Sequence, residues 1–276
     1  MDRLRGRVAL VTGAARGQGK SHSMALADEG AIVILCDLDT QIASVPYPLA
    51  TGQELDDTVN EIRKAGGKAF GARVDVRDAA AVTHLIDGIV AEHGRLDIVI
   101  ANAGICSFSP IDELGAESWH DTIDTNLSGV FYCLRAALPH MKAAGYGRII
   151  ATSSGAGRAG MANLGHYAAS KWGLIGLVKS VALETARYGI TANVICPTSV
   201  ATPMILNEST FGLFCPDLER PTVDDARPRF EALNPMGVAW LETQDVTRAV
   251  MYLVEDPGYT SGTVLEINLA SSASRT

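Results

Sequence analysis

The residues best suited to catalysis are a tyrosine and a lysine that stand four positions apart, Tyr167 and Lys171. They lie in an amphipathic stretch, residues 165–188, where four-residue spacing places both side chains on one face of a helix. A tyrosine with a pKa of about 10 is a poor base at neutral pH, but a neighbouring ammonium group favours the phenolate and so lowers that pKa. The pair therefore predicts a general acid–base, although a half-buried tyrosine beside a solvated lysine has the same spacing.

Polar residues follow two of the predicted strands. Ser153-Ser154 ends one strand, thirteen residues before Tyr167, and Asn102-Ala103-Gly104 ends another. The carboxyl ends of parallel strands form the edge of a sheet where α/β proteins bind ligands. We therefore expect the Ser154 hydroxyl near the Tyr167 phenol. Asn126 lies in the long predicted helix that connects these two strands.

A glycine-rich loop, Thr12-Gly13-Ala14-Ala15-Arg16-Gly17-Gln18-Gly19, follows the first predicted strand and opens a helix. Glycines permit a tight turn and a close approach of the backbone to a pyrophosphate, and the free N–H groups of the helix start attract the phosphates. The spacing G-x-x-x-G-x-G departs from the more familiar G-x-G-x-x-G. Its place between a strand and a helix is what favours a nucleotide-binding loop.

An acidic residue, Asp37, ends the second predicted strand eighteen residues beyond Gly19. A carboxylate there accepts hydrogen bonds from the adenosine ribose hydroxyls and repels a 2′-phosphate. Leu38 follows, where an NADP enzyme often has arginine, while Arg16 in the glycine loop is the opposing observation. Because a like charge next to a phosphate costs more than one flexible arginine recovers, we predict NAD. The alternative for Asp37 is a cap of a turn.

Short β-branched runs alternate with helical stretches along the chain, as in residues 79–93, where apolar residues recur with a helical period. This alternation predicts an α/β fold: one Rossmann domain over residues 1–276, with a doubly wound, seven-stranded parallel sheet and helices on both faces. The predicted strands are 8–12, 32–36, 69–74, 98–101, 148–152, 191–196 and 264–267. The predicted helices are 19–29, 54–65, 79–93, 117–143, 165–188 and 244–254.

Two stretches interrupt the alternation. Residues 38–53 contain Pro46-Tyr47-Pro48 and have no helical period, which predicts an inserted loop. Residues 198–240 contain five prolines, and a loop of this length is usually functional; we interpret it as a substrate lid. Its apolar residues suit either a pocket for an apolar alcohol or a contact with a neighbouring subunit, and they are Met204, Ile205, Leu206, Phe211, Leu213 and Phe214.

Composition and charge exclude several classes of protein. The chain of 276 residues has a net charge of −8, so it lacks the basic excess with which proteins bind nucleic acid. No run approaches the ~20 apolar residues that span a bilayer, and the apolar run after the charged start, residues 8–11, is too short for a signal peptide. The five cysteines show no C-x-x-C spacing, which predicts reduced, buried thiols in a cytoplasmic enzyme. The six scattered histidines predict no metal site.

Together these motifs resemble the short-chain dehydrogenase/reductase family over essentially the whole chain. The resemblance implies catalysis by Asn126, Ser154, Tyr167 and Lys171. It implies cofactor contacts at Gly13, Arg16, Gly17, Gln18 and Gly19 (pyrophosphate side), Asp37 and Leu38 (ribose), Asp75 and Val76 (adenine), Asn102, Ala103 and Gly104, Tyr167 and Lys171, and Pro197, Val200 and Thr202 (nicotinamide side). Thr198 stands where the family usually has glycine, and Ala101 where it usually has asparagine.

The family resemblance implies an NAD-dependent oxidoreductase that interconverts a secondary alcohol and its ketone. The glycine loop and the insertion at 38–53 resemble the mycofactocin-coupled, carveol dehydrogenase-like subset, which implies a cyclic, terpene- or steroid-like substrate, mycofactocin as an external electron carrier and a homotetramer. On this resemblance we expect the insertion to fold over the adenosine end of the groove and to hinder release of NAD; the alternative is a surface elaboration without a kinetic role. Two alternative functions remain. One is an NADPH-linked 3-oxoacyl reductase, against which Asp37 argues; the other is a non-catalytic nucleotide sensor on the same fold.

Overall fold

Seven strands pair in parallel and form one sheet in the order β3-β2-β1-β4-β5-β6-β7. The computed structural model describes residues 2–273, so Met1 and residues 274–276 of the predicted domain lie outside the described residues. The strands are β1 (Val8–Thr12), β2 (Ile32–Asp37), β3 (Lys68–Arg73), β4 (Ile98–Ala101), β5 (Gly147–Thr152), β6 (Ile190–Pro197) and β7 (Val264–Ile267). This architecture confirms the predicted doubly wound α/β fold.

Helices cover both faces of the sheet because its central strands are apolar on both sides. The helices are α1 (Gly17–Asp28), α2 (Gly52–Lys64), α3 (Ala79–His93), α4 (Ala116–Ile123), α5 (Gly129–Ala144), α6 (Gly165–Thr185), α7 (Glu208–Phe214), α8 (Val223–Glu231) and α9 (Thr243–Glu255). Helices α3, α5 and α6 pack against one face, and α1, α2 and α9 pack against the other. Over residues 2–273, no helix has both the length and the apolar character needed to cross a bilayer.

The structure differs from the predicted elements in two places. The predicted single helix over 117–143 is α4 and α5 joined by a π-helical turn, Asp124–Ser128, with Asn126 buried inside it. Such turns insert one residue and redirect the side chains around them, often at functional sites. The predicted lid is not one loop, since it contains the short helices α7 and α8, which pack around Phe230.

The carboxyl ends of β1 and β4 are joined by hydrogen bonds at the point where the order of strands reverses. The Thr12 hydroxyl oxygen accepts hydrogen bonds from the backbone N–H groups of Asn102 and Ala103, each at 3.1 Å. The Asn102 side-chain amide donates to the carbonyls of Thr12 and Gly13, at 3.1 and 3.2 Å. These bonds fix the crevice in which an open α/β sheet binds its ligand.

Candidate active site

A cavity of about 590 Å³ runs along the carboxyl edge of the sheet, between the inserted loop and the lid. Nearly all the predicted site residues line it, although they come from elements far apart in sequence. They are Gly13, Arg16, Gly17, Gln18, Asp37, Leu38, Asp75, Val76, Asn102, Ala103, Gly104, Ser154, Tyr167, Lys171, Pro197, Val200 and Thr202. The two predicted residues that do not line it are Gly19 and Asn126.

The candidate acid–base pair lies inside this cavity. Tyr167 and Lys171 project from the same face of α6, and the Lys171 Nζ lies 5.6 Å from the centre of the Tyr167 ring. The ammonium donates a hydrogen bond of 2.8 Å to the carbonyl of Thr152, at the end of β5. Two residues further on, the Ser154 hydroxyl also faces the cavity, so the phenol, the ammonium and the hydroxyl share one space.

Burial governs the protonation of both members of the pair. It raises the pKa of Tyr167 above its usual value, and a hydrogen bond with Ser154 acts in the opposite direction. Burial also lowers the pKa of Lys171 to about 8. Burial therefore opposes the lowering of the Tyr167 pKa that we predict from Lys171, because removing the phenolate from water is unfavourable.

Asn126 does not itself line the cavity, but it contacts Ile105, which does. Its side chain is fully buried; its Oδ1 accepts a hydrogen bond of 2.8 Å from the Ile105 amide, and its Nδ2 donates one of 2.9 Å to the Ile105 carbonyl. The same amide donates to the hydroxyl of Ser170 at 3.2 Å. The asparagine therefore links the backbone after β4 to the helix that carries Tyr167.

The glycine loop leaves no room for side chains at two of its positions. Gly13 has a φ of +65°, and a Cβ there would lie 2.8 Å from the Cα of Ala103. At Gly19 a Cβ would lie 2.0 Å from the Gly13 carbonyl oxygen, so this glycine serves the packing of α1 on the loop rather than a ligand. The first two residues of α1, Gly17 and Gln18, line the cavity, and a helix start at this place fits a pyrophosphate.

The charged groups at the other end of the groove fit a dinucleotide without a 2′-phosphate. The Asp37 carboxylate accepts hydrogen bonds of 2.8 Å from the backbone amides of Ala15 and Leu38, as a turn cap does, and it still lines the cavity. Arg16 is the argument for NADP in the sequence. Its guanidinium binds the Pro48 carbonyl of the inserted loop and lies 3.5 Å from the carboxylate of Glu54.

The part of the groove predicted to contact adenine holds a second ion pair. Both oxygens of Asp75 accept hydrogen bonds from the guanidinium of Arg77, which also reaches Asp121 at 2.7 Å. The Asp75 carboxylate is thus paired within the protein, and the neighbouring Val76 offers an apolar surface to the cavity.

The inserted loop contributes cavity residues that sequence reasoning missed. Ile42, Tyr47 and Leu49 line the cavity, and Ile42 and Tyr47 pack with Ile105 in a small apolar cluster. The signal in the sequence was an aromatic residue between two prolines, but nothing local shows that this loop folds back over the sheet edge. The loop, expected from the family resemblance to fold over the adenosine end, forms a wall of the groove.

The lid supplies the apolar part of the wall. Of its six predicted apolar residues, Met204, Ile205, Leu213 and Phe214 line the cavity. Phe211 is buried within the lid, and Leu206 is 37% exposed. The lid has its own core, in which the rings of Phe214 and Phe230 lie 4.3 Å apart. The lid therefore gives the cavity an apolar wall.

Known proteins resemble this chain in sequence and fold. The family model described as short chain dehydrogenase matches residues 7–210. A (-)-trans-carveol dehydrogenase of Rhodococcus erythropolis is 43% identical over 275 residues, covering 99% of each chain. The crystal structure of a carveol dehydrogenase from Mycobacterium avium in complex with NAD has a TM-score of 0.96, at 38% identity, and covers 99% of this chain and 100% of that one.

A short chain dehydrogenase from Mycobacterium paratuberculosis, solved bound to NAD, has a TM-score of 0.88 at 31% identity and covers 98% of this chain and 99% of that one. The match therefore extends over sequence, fold and nearly the full length of each relative. The chain belongs to the short-chain dehydrogenase family.

Proposed function

We propose that this chain is an NAD-dependent oxidoreductase that interconverts a cyclic, apolar secondary alcohol and its ketone. The observation that carries the proposal is that one cavity contains the phenol, ammonium and hydroxyl groups of Tyr167, Lys171 and Ser154 together with the glycine loop and Asp37. The relatives solved with NAD support the cofactor. The apolar lid wall, and the carveol in the name of the relative from Rhodococcus erythropolis, support the substrate class.

The residues that hold NAD are the glycine loop at the pyrophosphate, Asp37 at the adenosine ribose, and Pro197, Val200 and Thr202 on the nicotinamide side. Lys171 binds the ribose next to the nicotinamide. When bound, NAD supplies the carbon that accepts hydride from the alcohol, or returns it to the ketone.

The protein groups handle the proton and the orientation of the substrate. In the oxidation direction, the Tyr167 phenolate accepts the proton of the substrate hydroxyl, and in reduction the phenol returns it. Ser154 donates a hydrogen bond to the substrate oxygen and stabilises the negative charge that develops there. The buried Lys171 ammonium favours the phenolate when it is charged, and Asn126 positions the adjoining backbone for proton return to solvent.

The test is Tyr167→Phe, with the exposed Tyr259→Phe as the matched control. Since the phenol is the proposed acid–base, we expect Tyr167→Phe to lower kcat at least ~10²-fold and to leave NAD binding within a few-fold, while the control keeps wild-type turnover. A panel of cyclic secondary alcohols, assayed with NAD and with NADP, defines the substrate. Near wild-type turnover by Tyr167→Phe refutes the mechanism, and a preference for NADP favours the 3-oxoacyl reductase alternative.

We also propose that the inserted loop hinders release of NAD, so that mycofactocin or another external carrier reoxidises the cofactor in place. The loop reaches the glycine loop through the contact between Arg16 and Pro48, and its residues line the groove. Protein purified without added nucleotide should then carry bound NAD and turn over with an artificial electron acceptor. A nucleotide-free protein that turns over freely added NAD contradicts this proposal.

A further inference from the structure

Three consecutive residues of the inserted loop, Pro46-Tyr47-Pro48, contact three separate parts of the cavity wall. The carbonyl of Pro46 accepts a hydrogen bond of 3.1 Å from the hydroxyl of Ser209, on lid helix α7. The tyrosine hydroxyl oxygen accepts one of 3.1 Å from the backbone amide of Cys106, after β4. The carbonyl of Pro48 accepts a hydrogen bond from the guanidinium of Arg16, in the glycine loop. This Pro-Tyr-Pro segment therefore joins the lid, the sheet edge and the glycine loop.

The Pro-Tyr-Pro segment is held rigidly at these contacts. Proline rings restrict the backbone on both sides of the tyrosine. From within the loop, the side-chain amide of Gln41 donates to the carbonyls of Ile42, Val45 and Tyr47, each at 3.2 Å. The Tyr47 side chain is only 5% exposed. Movement of the loop away from the sheet would thus remove the whole segment from the cavity.

The backbone that Tyr47 contacts is itself tied to the catalytic helix. Ile105 forms hydrogen bonds with Asn126 through both its backbone amide and its carbonyl. The backbone amide of Cys106 donates to the Tyr47 hydroxyl. The Ser107 hydroxyl lies 2.8 Å from Nε2 of His166, the residue before Tyr167. Each of the residues 105–107 is thus hydrogen-bonded to a different part of the chain, and Tyr47 is the one of these partners that belongs to the inserted loop.

We propose that Tyr47 is a positioning residue that couples the lid to the cofactor groove, so that the dinucleotide leaves only when the lid contact at Ser209 also breaks. The inference rests on the proposed function, since it takes the groove to hold NAD. It adds a specific consequence: a change in the lid, outside the groove, alters the rate at which the cofactor leaves.

The size of the effect follows from the hydrogen bonds involved. A single protein hydrogen bond contributes a modest net free energy, and its loss corresponds to roughly a three- to tenfold change in a rate that requires it to break. Tyr47→Phe keeps the ring in its apolar cluster and removes only the acceptor of the Cys106 amide. Ser209→Ala removes only the donor to Pro46.

The experiment measures the rate of NADH release by nucleotide fluorescence, after mixing the NADH complex with excess NAD. The variants are Tyr47→Phe, Ser209→Ala and the double variant. Tyr259→Phe, on a side chain 90% exposed, is the control for the tyrosine. Ser180→Ala is the control for the serine, because its hydroxyl also donates a 3.1 Å hydrogen bond to a carbonyl, that of Gly176, within one helix.

We expect Tyr47→Phe and Ser209→Ala each to speed NADH release roughly three- to tenfold. The double variant should gain less than the product of the two factors, because loss of either contact already loosens the segment that makes the other. A release rate for Ser209→Ala equal to that of Ser180→Ala overturns the coupling, and one for Tyr47→Phe equal to that of Tyr259→Phe overturns the role of Tyr47. A wild-type protein that binds NADH but oxidises no alcohol refutes the proposed catalysis and leaves the coupling standing.

Discussion

His22 on α1 should make the stability of the fold depend on pH, because its imidazole is buried without a partner for one nitrogen. Its Nδ1 lies 2.8 Å from the Thr247 hydroxyl of α9, and that hydroxyl donates to the Thr243 carbonyl, so Nδ1 carries the proton. Among the atoms of residues 2–273, Nε2 has no hydrogen-bond partner. A proton on Nε2 would place a charge inside the packing of α1 against α9. Burial accordingly lowers the pKa of His22 from 6.5 to about 3.

The lowered pKa of His22 sets the direction and size of the effect. Between pH 6.5 and 3 the unfolded chain binds the proton and the folded chain does not, so the free energy of unfolding rises with pH. The contribution of His22 is complete above about pH 6.5 and is lost as the pH falls toward 3. At pH 5, one and a half pKa units below the unfolded value, the loss is about 2 kcal/mol, since each unit is worth about 1.4 kcal/mol.

The assay is urea unfolding of wild-type protein and His22→Asn at pH 8 and pH 5. Asparagine keeps an N–H donor for Thr247 but does not titrate, so the variant should lose about 2 kcal/mol less than the wild type between the two pH values. His84→Asn, on an exposed position of α3, is the matched control and should behave as the wild type. Equal pH dependence in the wild type and His22→Asn would refute the argument that this imidazole stays neutral in the fold.

Two further predictions concern the cofactor groove. Asp37→Ser should raise the ratio of NADP to NAD activity at least ~10-fold, because removing a charge next to the 2′ position relieves a repulsion of a few kcal/mol. Measuring kcat/KM with each cofactor tests this prediction, and an unchanged ratio contradicts it. Gly13→Ala should weaken NADH binding, because a Cβ there would lie too close to Ala103. Gly66 also has a positive φ but open space around it, so Gly66→Ala should leave NADH binding unchanged. Equal dissociation constants for the two variants would contradict the close approach of Gly13 to Ala103.

The sequence predicts the sheet and its edge well because both depend on local pattern. Continuous apolar runs such as 32–36 indicate strands covered on both faces, and every motif at a strand end then comes to the same edge. Ser154, Asn102 and Asp37 line the cavity for this reason. The spacing of Tyr167 and Lys171 places them on one helix face without any knowledge of the rest of the fold.

Tertiary structure alone decides what covers that edge and which way each group faces. Tyr47 contacts Cys106 across 59 positions of sequence, and Ser209 contacts Pro46 across 163, so no local period can report either contact. The π-helical turn places Asn126 where its side chain binds the backbone of Ile105, a contact across 21 positions of sequence. Burial, which sets the protonation of Tyr167, Lys171 and His22, depends on every element packed around them. A strand or a helix follows from the residues within it, whereas the environment of a side chain is supplied by the whole chain.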